Sequence, residues 1–422
     1  MRVSPLIRHL ARDNLVLVVQ YGVGSLVPLL LIPHIVRHIG LETFGELAIA
    51  LAGASFGGIA VQYAFHLTGP RQLTVLAKGV TPSSIVCAIG SAKLVLLVAV
   101  WLLMGLAVVG WTVTGHAITV AQGWLMFTIP LAAALHTGWH LQTAGRFATV
   151  SSLAMTGAAL ALLVGFVGVR HAGPDAVTAS ALALSVAPLW TGAATFLASL
   201  RHLKRGPEPH TIGWRSPWTE LRDGLPLFGS QFAAALYGTS GPLLVGAFAG
   251  AAQAGAFAAI ERVSGAAVSA FVLTHTAAYP RLVQLYSSDR AGYRRLVMLV
   301  TGTYLVAAIT LVIAVVFAWR SVLLFVFGPD GPRHGALLAL ALLWITLGVF
   351  GTVLTGYLVT SGQGDKVLPL TLKILAVSVA LGVPGVLTWG AWAWLASLCA
   401  SQAIVAGIAV RTWLTEFSSR RQ

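Results

Sequence analysis

The chain is a succession of long apolar runs separated by short polar segments. Runs of about twenty apolar residues recur from Leu15 to the end of the 422 residues, and only 9% of the residues are charged. A helix of roughly 20 apolar residues crosses the hydrocarbon layer of a bilayer, whereas an ordinary soluble domain carries about 25% charged residues. So few charges cannot cover a water-exposed surface. The sequence therefore predicts an all-α polytopic membrane protein.

Twelve spans are predicted, six on each side of a polar stretch. The first six lie near 15–36, 44–66, 83–108, 117–139, 148–169 and 176–199. The second six lie near 225–248, 254–278, 295–318, 335–360, 367–387 and 390–413. We therefore expect an N-terminal lobe (1–200), a basic cytoplasmic linker (201–223) and a C-terminal lobe (224–422), with the space between the lobes as the substrate path.

The positive charges are distributed unequally between alternate loops. Of the 26 Lys and Arg residues, twenty fall on one side of the predicted spans. Those on the other side are Arg37, Arg170, Arg320 and Arg333. Because Lys and Arg are retained on the cytoplasmic side, both termini are expected to be cytoplasmic in the inner (plasma) membrane. The cations are scattered singly instead of forming a basic domain, so nucleic acid is not an expected partner.

The two halves share short motifs at a constant spacing. Arg12-Asp13 recurs as Arg222-Asp223, Gly40 and Gly45 recur as Gly250 and Gly255, and Pro70-Arg71 recurs as Pro280-Arg281, each 210 residues later. The common offset indicates an internal duplication. Six spans per half is an even number, so the halves would be related by a pseudo-two-fold axis along the membrane normal.

Patterns for covalent chemistry are missing. Gly40 to Gly45 has the glycine spacing of a phosphate-binding loop, but Glu46 stands where the lysine of that loop would follow. The sequence contains no HExxH or CxxC motif and no paired aspartates that could hold a metal. We therefore expect neither an enzyme nor a cofactor-binding protein.

Ionisable residues inside spans are costly and tend to face a bundle interior. Lys93 lies near the middle of the third span and is expected either to face a cavity or to snorkel to the headgroups. Glu261 and Arg262 are adjacent in the eighth span and are expected either to face the interior or to tether helices. Glu46 and Lys373 are shallower, where an interfacial role is expected. Hydrogen-bonded packing is the expected role of the histidines in or beside spans, His34, His66, His136, His140 and His275.

Two segments carry a resemblance to a known family. Pro33–Gly45 resembles the end of the first span in polysaccharide transporters of the O-antigen flippase type, which pair Pro with Arg and close on Phe-Gly. Tyr63–Arg71 is similar to the same family's Tyr-Gly-Phe-Asn segment, with Ala64 in place of the usual Gly and His66 in place of the usual Asn. Two further similarities lie at Ala258–Val263 and Tyr279–Leu282.

The resemblance implies the fold of the multidrug, oligosaccharidyl-lipid and polysaccharide exporter superfamily, in which two six-helix lobes surround a cavity open alternately to each side. It implies a flippase that carries an undecaprenyl-diphosphate-linked oligosaccharide to the outer leaflet for O-antigen, capsule or exopolysaccharide synthesis. Membrane lipids, a polysaccharide polymerase and a chain-length regulator are the candidate partners, and a proton or sodium gradient is the candidate driving force.

On this interpretation the candidate substrate-binding residues have separate roles. Lys93 and Arg262 would be cavity cations, and Glu261 a charge partner or coupling site. Arg37 and Arg71 would be gate or headgroup residues at opposite mouths. Glu46 and Lys373 complete the set of candidates.

Three alternatives remain. An ion-coupled multidrug exporter of the same superfamily would be expected to use a buried acid in the first span, and none lies between Leu15 and Pro33. A membrane polymerase or glycosyltransferase would need paired acids or a large outer loop, and both are missing. A noncatalytic scaffold of the glycan assembly machinery is left open by the sequence.

Overall fold

The computed structural model describes residues 5–74, 81–113, 115, 117–204 and 216–418. The side chains of 5–19, 21, 74, 263, 266–280, 283–284, 287 and 414–418 lie outside that description. The described residues therefore do not include the middle of the predicted linker (205–215). The described side chains do not include those of Arg12, Asp13, His275 and Pro280.

The described residues form helices joined by short connecting segments. The first half contains α1 (Pro5–Ile39), α2 (Leu41–Gln62), α3 (Phe65–Thr74), α4 (Pro82–Val113), α5 (Val120–Leu135), α6 (Gly138–Thr143), α7 (Phe147–Leu163) and α8 (Ala176–Lys204). The second half contains α9 (Pro217–Thr239), α10 (Gly241–Ala249), α11 (Ala251–Ser288), α12 (Arg290–Phe327), α13 (Gly335–Thr360), α14 (Val367–Trp389) and α15 (Ala391–Ser418). Short π or 3-10 turns lie at Val164–Val169, Gly173–Asp175, Gly328–His334 and Gly364–Lys366.

Each predicted span falls on a helix or on a broken pair of helices, because a helix satisfies its own backbone hydrogen bonds in lipid. By length and apolarity, eight stretches of the described chain are long enough to cross a membrane, or nine if the bent pair α9–α10 counts as one span. The protein is thus a multi-pass, all-α membrane protein. The twelve-span count stays a prediction, since α5 has only 16 residues and many side chains of α11 are not described.

The chain divides into two compact units. Unit 1 comprises Met1–Val27 and Leu47–Ala235, and unit 2 comprises Pro28–Glu46 and Leu236–Gln422. Unit 2 therefore includes the end of α1 and the start of α2. Part of the predicted linker is helical, because α9 begins at Pro217. Unit 1 includes the first nineteen residues of α9.

In unit 1, α8 packs along α5 and α7, and in unit 2, α15 packs along α13 and α14. Small residues permit these approaches. Gly192 of α8, for example, lies against the backbone of Ala132 in α5. Buried hydroxyl groups are paired within the same interfaces, as where Ser378 Oγ donates to Ser401 Oγ at 2.8 Å between α14 and α15.

The motif glycines at offset 210 occupy matching positions in the backbone. Gly40 separates α1 from α2 with φ +81°, and Gly250 separates α10 from α11 with φ +86°. Both φ values lie in the region that glycine enters most easily. The second pair of motif glycines, Gly45 and Gly255, meet where the start of α2 crosses the start of α11. A Cβ on Gly45 would lie 2.9 Å from Gly255 N, and a Cβ on Gly255 would lie 3.1 Å from Gly45 Cα.

Candidate functional site

Lys93 is a buried cation in unit 1. It lies in α4 and its side chain is only 2% exposed. Its ammonium donates hydrogen bonds to two backbone carbonyls, His136 O at 2.7 Å and Ala133 O at 3.1 Å. Because both acceptors are inside the protein, Lys93 does not snorkel to the headgroups. The structure places it at the end of another helix.

The carbonyls are available because α5 stops before α6 begins. The last helical residue of α5 is Leu135, and His136 has an extended conformation with φ −69° and ψ 108°. A helix leaves its last four carbonyls without intrahelical partners, and a cation is favoured at this negative end of the helix. Lys93 therefore caps the C-terminus of α5, which explains how unit 1 accommodates a charge that hydrocarbon would reject.

Two histidines lie near this cap. His66 of α3 and His136 both interact electrostatically with the ammonium of Lys93. Nδ1 of His136 is buried and has no hydrogen-bond partner among the described residues. The sequence analysis had treated these histidines as packing residues. It missed the cluster because the backbone break beside His136 carries no strong sequence signal.

Glu261 and Arg262 lie in α11, about 16 Å along the helix from its start at 1.5 Å per residue. The preceding turns from Ala256 to Ile260 are buried. Glu261 is half-buried, Arg262 is exposed, and the carboxyl is close enough to Arg262 to feel its charge. An exposed arginine at this depth needs water or an anionic partner.

Arg37 is held against α12 within unit 2. Its Nη2 donates to Leu324 O at 2.7 Å, and its guanidinium carbon lies 5.5 Å from the centre of the Phe325 ring. The side chain remains exposed. Arg37 is thus fixed at the end of α12, where it can present its remaining donors to an anion.

Arg71 is exposed at the end of α3, and its neighbours tie α3 to α9. Gln72 Nε2 donates to Glu220 Oε2 at 2.6 Å, and Glu220 is only 1% exposed. The hydroxyl of Tyr63 donates to Leu221 O at 2.9 Å. The start of α9 therefore positions the segment that carries Arg71, and Glu220 is a polar contact that sequence reasoning missed.

The break between α2 and α3 is also strained. Tyr63 and Ala64 have φ +51° and +74°, values that non-glycine residues rarely adopt. The Tyr63 ring is stacked on Phe228 with centroids 4.3 Å apart. Glycine, the residue usual in the resembling family at the position of Ala64, would take this conformation without strain. That glycine was the signal that could have located the break.

The seven candidate residues are divided between the units. Lys93 and Arg71 belong to unit 1, and Arg37, Glu46, Glu261, Arg262 and Lys373 belong to unit 2. Glu46 is half-buried near the start of α2, and Lys373 is exposed in α14. Among the described residues, no cluster of three or more His, Cys, Asp or Glu side chains is arranged to hold a metal ion.

Residues 10–286 match the family model described as "Polysaccharide biosynthesis protein". This match covers more than half of the chain. The chain belongs to this family. Of the seven candidate residues, Lys373 alone lies outside the segment that the family model covers.

A relative from Escherichia coli (strain K12), named "Putative O-antigen transporter", is 26% identical over 287 residues. The alignment covers 65% of this family member and 65% of the relative's length.

Solved structures show the fold of this family member. A multidrug resistance MATE family transporter of the MOP superfamily, in its inward-facing conformation, matches with a TM-score of 0.66 at 14% identity, covering 96% of both chains. The lipid II flippase MurJ, in its inward closed conformation, matches with a TM-score of 0.67 at 11% identity, covering 95% of this chain and 87% of that chain. The protein thus has the exporter fold that the sequence analysis predicted.

Proposed function

We propose that this protein is a flippase that moves an undecaprenyl-diphosphate-linked oligosaccharide from the cytoplasmic to the outer leaflet of the inner membrane. The observation that carries the proposal is the family match over residues 10–286 on a chain with an exporter fold. The proposed orientation, with both termini cytoplasmic, rests on the unequal distribution of Lys and Arg between the loops.

The diphosphate is the part of this substrate that hydrocarbon resists most, so a translocation path needs cations within it. Arg262 is suited to that role because it is exposed within the predicted span 254–278 of α11, and guanidinium groups bind phosphate oxygens in pairs. Glu261 would balance Arg262 between transport cycles. Movement of the two lobes in alternation would then open the path to each side.

The remaining candidates receive different roles. Arg37 and Arg71, both exposed, would meet the headgroup at opposite ends of the path. Lys93 would act indirectly, by stabilising the end of α5, since its ammonium already donates hydrogen bonds to the carbonyls of Ala133 and His136. Glu46 and Lys373 would contribute at the interfaces. A proton or sodium gradient would drive the cycle, and the polymerase and chain-length regulator of the pathway would receive the product.

The test is transfer of a fluorescent undecaprenyl-diphosphate oligosaccharide between leaflets of proteoliposomes that contain only this chain, with and without an imposed proton or sodium gradient. We expect transfer above that of empty vesicles. Arg262→Met removes hydrogen bonds to a charged group, worth about 1.5–3 kcal/mol, so the apparent affinity should fall about 10- to 100-fold. Arg295→Met, which removes an exposed cation at the start of α12, is the matched control and should transfer normally.

The alternatives give different results in the same vesicles. Export of a cationic dye without glycan transfer would favour the multidrug exporter. Absence of both activities in folded protein, with several glycans tried, would favour the scaffold. Wild-type transfer by Arg262→Met would remove Arg262 from the path.

A further inference from the structure

Unit 2 contains an apolar groove between α12 and α13. Its volume is about 540 Å³, within the usual range of roughly 300–1,000 Å³ for small-molecule sites. From α12 the lining residues are Val312, Val316 and Trp319. From α13 they are Gly335, Leu338, Ala339, Leu342, Leu343 and Thr346. Among these lining residues, Thr346 alone carries a hydroxyl group. Because the other side chains are apolar or, in Gly335, absent, the groove suits a hydrocarbon chain.

The length of the groove matches one leaflet of a bilayer. Gly335 and Thr346 bound its α13 wall and are 11 residues apart, or about 16 Å at 1.5 Å per residue. Half of a hydrocarbon layer of about 30 Å is about 15 Å. The groove begins at the turn Gly328–His334, which joins α12 to α13 on the side where cations are few. By the loop charges this is the outer side, so the groove lies at the depth of the outer leaflet.

Cations stand at the mouth of the groove. Residues four apart on a helix share a face, so Arg320 continues the α12 face formed by Val312 and Val316, and Leu324 follows one turn later. The guanidinium of Arg37 is bonded to Leu324 O. Arg37 and Arg320 are both exposed, whereas Arg333 is paired with Asp330 at 3.2 Å. Three of the four cations on this side of the protein therefore belong to this end of unit 2.

We propose that this groove, together with Arg37 and Arg320, binds a polyprenyl diphosphate lipid in the outer leaflet. The part of the single chain nearest the headgroup would lie in the groove, which is shorter than the whole chain, and the diphosphate would meet the two guanidinium groups. A single groove fits a lipid with one chain better than a glycerophospholipid with two. The inference rests on the proposed function in naming the lipid, and it assigns the groove to the product side, where the translocated lipid would remain before release.

The experiment uses the full-length protein in lipid nanodiscs with a photoactivatable undecaprenyl diphosphate that carries no glycan. We expect crosslinked peptides from 312–346, and we expect unlabelled undecaprenyl diphosphate to compete at least ten times better than phosphatidylglycerol. Ala339→Trp fills the groove from its α13 wall and should reduce crosslinking about tenfold. Ala314→Trp, at an exposed position of α12 that does not line the groove, should not.

Headgroup variants leave the groove itself intact. The double variant Arg37→Gln with Arg320→Gln should weaken the binding of the probe about tenfold or more, while Arg170→Gln, which removes the remaining cation of this side in unit 1, should leave it unchanged. These variants keep the proposal testable if Ala339→Trp does not fold.

Crosslinking confined to other helices, or unchanged by the headgroup variants, would overturn the site. Equal competition by phosphatidylglycerol would overturn the choice of lipid. Binding of the probe in the groove without glycan transfer in proteoliposomes would contradict the proposed function but support the lipid site. Glycan transfer without binding here would remove the site and leave the proposed function.

Discussion

Replacing Lys93 by methionine tests whether its ammonium stabilises the end of α5. Methionine has a similar length and no donors, so the carbonyls of Ala133 and His136 would lose bonds of 3.1 and 2.7 Å. Each buried acceptor left without a partner costs about 1–3 kcal/mol. Removing a buried ammonium offsets part of this cost, because the charge no longer has to be kept out of water. We expect a net loss of roughly 2 kcal/mol in the free energy of unfolding.

The assay is thermal unfolding of the purified protein in detergent, followed by tryptophan fluorescence. For a domain of about 150–250 residues, 1 kcal/mol shifts the midpoint by about 2–4 °C, and unit 1 is of about this size. We therefore expect Lys93→Met to lower the midpoint by roughly 4–8 °C. Lys373→Met, which removes an exposed cation from α14, should shift it by less than about 1 °C.

Transport measured per folded molecule separates the two roles of Lys93. A stable Lys93→Met protein that no longer transports would refute the capping argument and return Lys93 to the set of direct substrate contacts. A destabilised protein that still transports would support the cap.

Three further predictions concern close packing, backbone strain and pH. Gly45→Ala should lower the thermal midpoint, because its Cβ would meet the backbone of α11, and overpacking costs about 1–3 kcal/mol or more; Gly90→Ala, with nothing within 4 Å of the new Cβ, is the matched control. Ala64→Gly should raise the midpoint, since a left-handed alanine costs roughly 1–2 kcal/mol. His140 lies in α6 beyond the predicted span 117–139, and burial together with the charge of His202 lowers its pKa to about 4. An unfolded histidine with a pKa near 6.5 binds a proton that the folded one refuses, so the midpoint should fall as the pH falls from about 6.5 to 4, and His140→Gln should flatten this slope.

Each of these predictions has a result that contradicts it. Equal midpoints for Gly45→Ala and Gly90→Ala would show that α2 and α11 separate without cost. A lower midpoint for Ala64→Gly would show that packing of the buried methyl group outweighs the strain. An unchanged pH slope in His140→Gln would assign the acid sensitivity to another group.

The helices could be predicted from sequence because lipid permits few backbone arrangements. An apolar run of sufficient length has to form a helix, and the repeated Gly40 and Gly250 indicated equivalent helix boundaries that the structure places at matching positive φ values. The exporter fold followed from the resemblance of Pro33–Gly45 and Tyr63–Arg71 to a known family.

The contacts of the candidate residues could not be predicted in the same way. The partners of Lys93 are backbone carbonyls, and every residue type has a carbonyl, so no pattern in the side chains identifies them. Arg37 bonds to Leu324, 287 residues away in the chain. The 48° bend between α9 and α10 falls at Gly238–Pro242, where Gly, Thr, Ser and Pro signal a break in the helix but do not specify its angle.

The crossing of α2 and α11 obeys a rule known from symmetric oligomers. Gly45 approaches Ala251, and Gly255 approaches Leu41; since each pair is related by the offset of 210, this is one contact made twice with the partners exchanged. In an isologous dimer, residue i of one subunit meets residue j of the other, and j meets i. A half-length ancestor with glycine at this position would therefore have used the same surface to pair with a second copy of itself. On that duplication, the present polypeptide would carry the former homodimer contact inside a single chain.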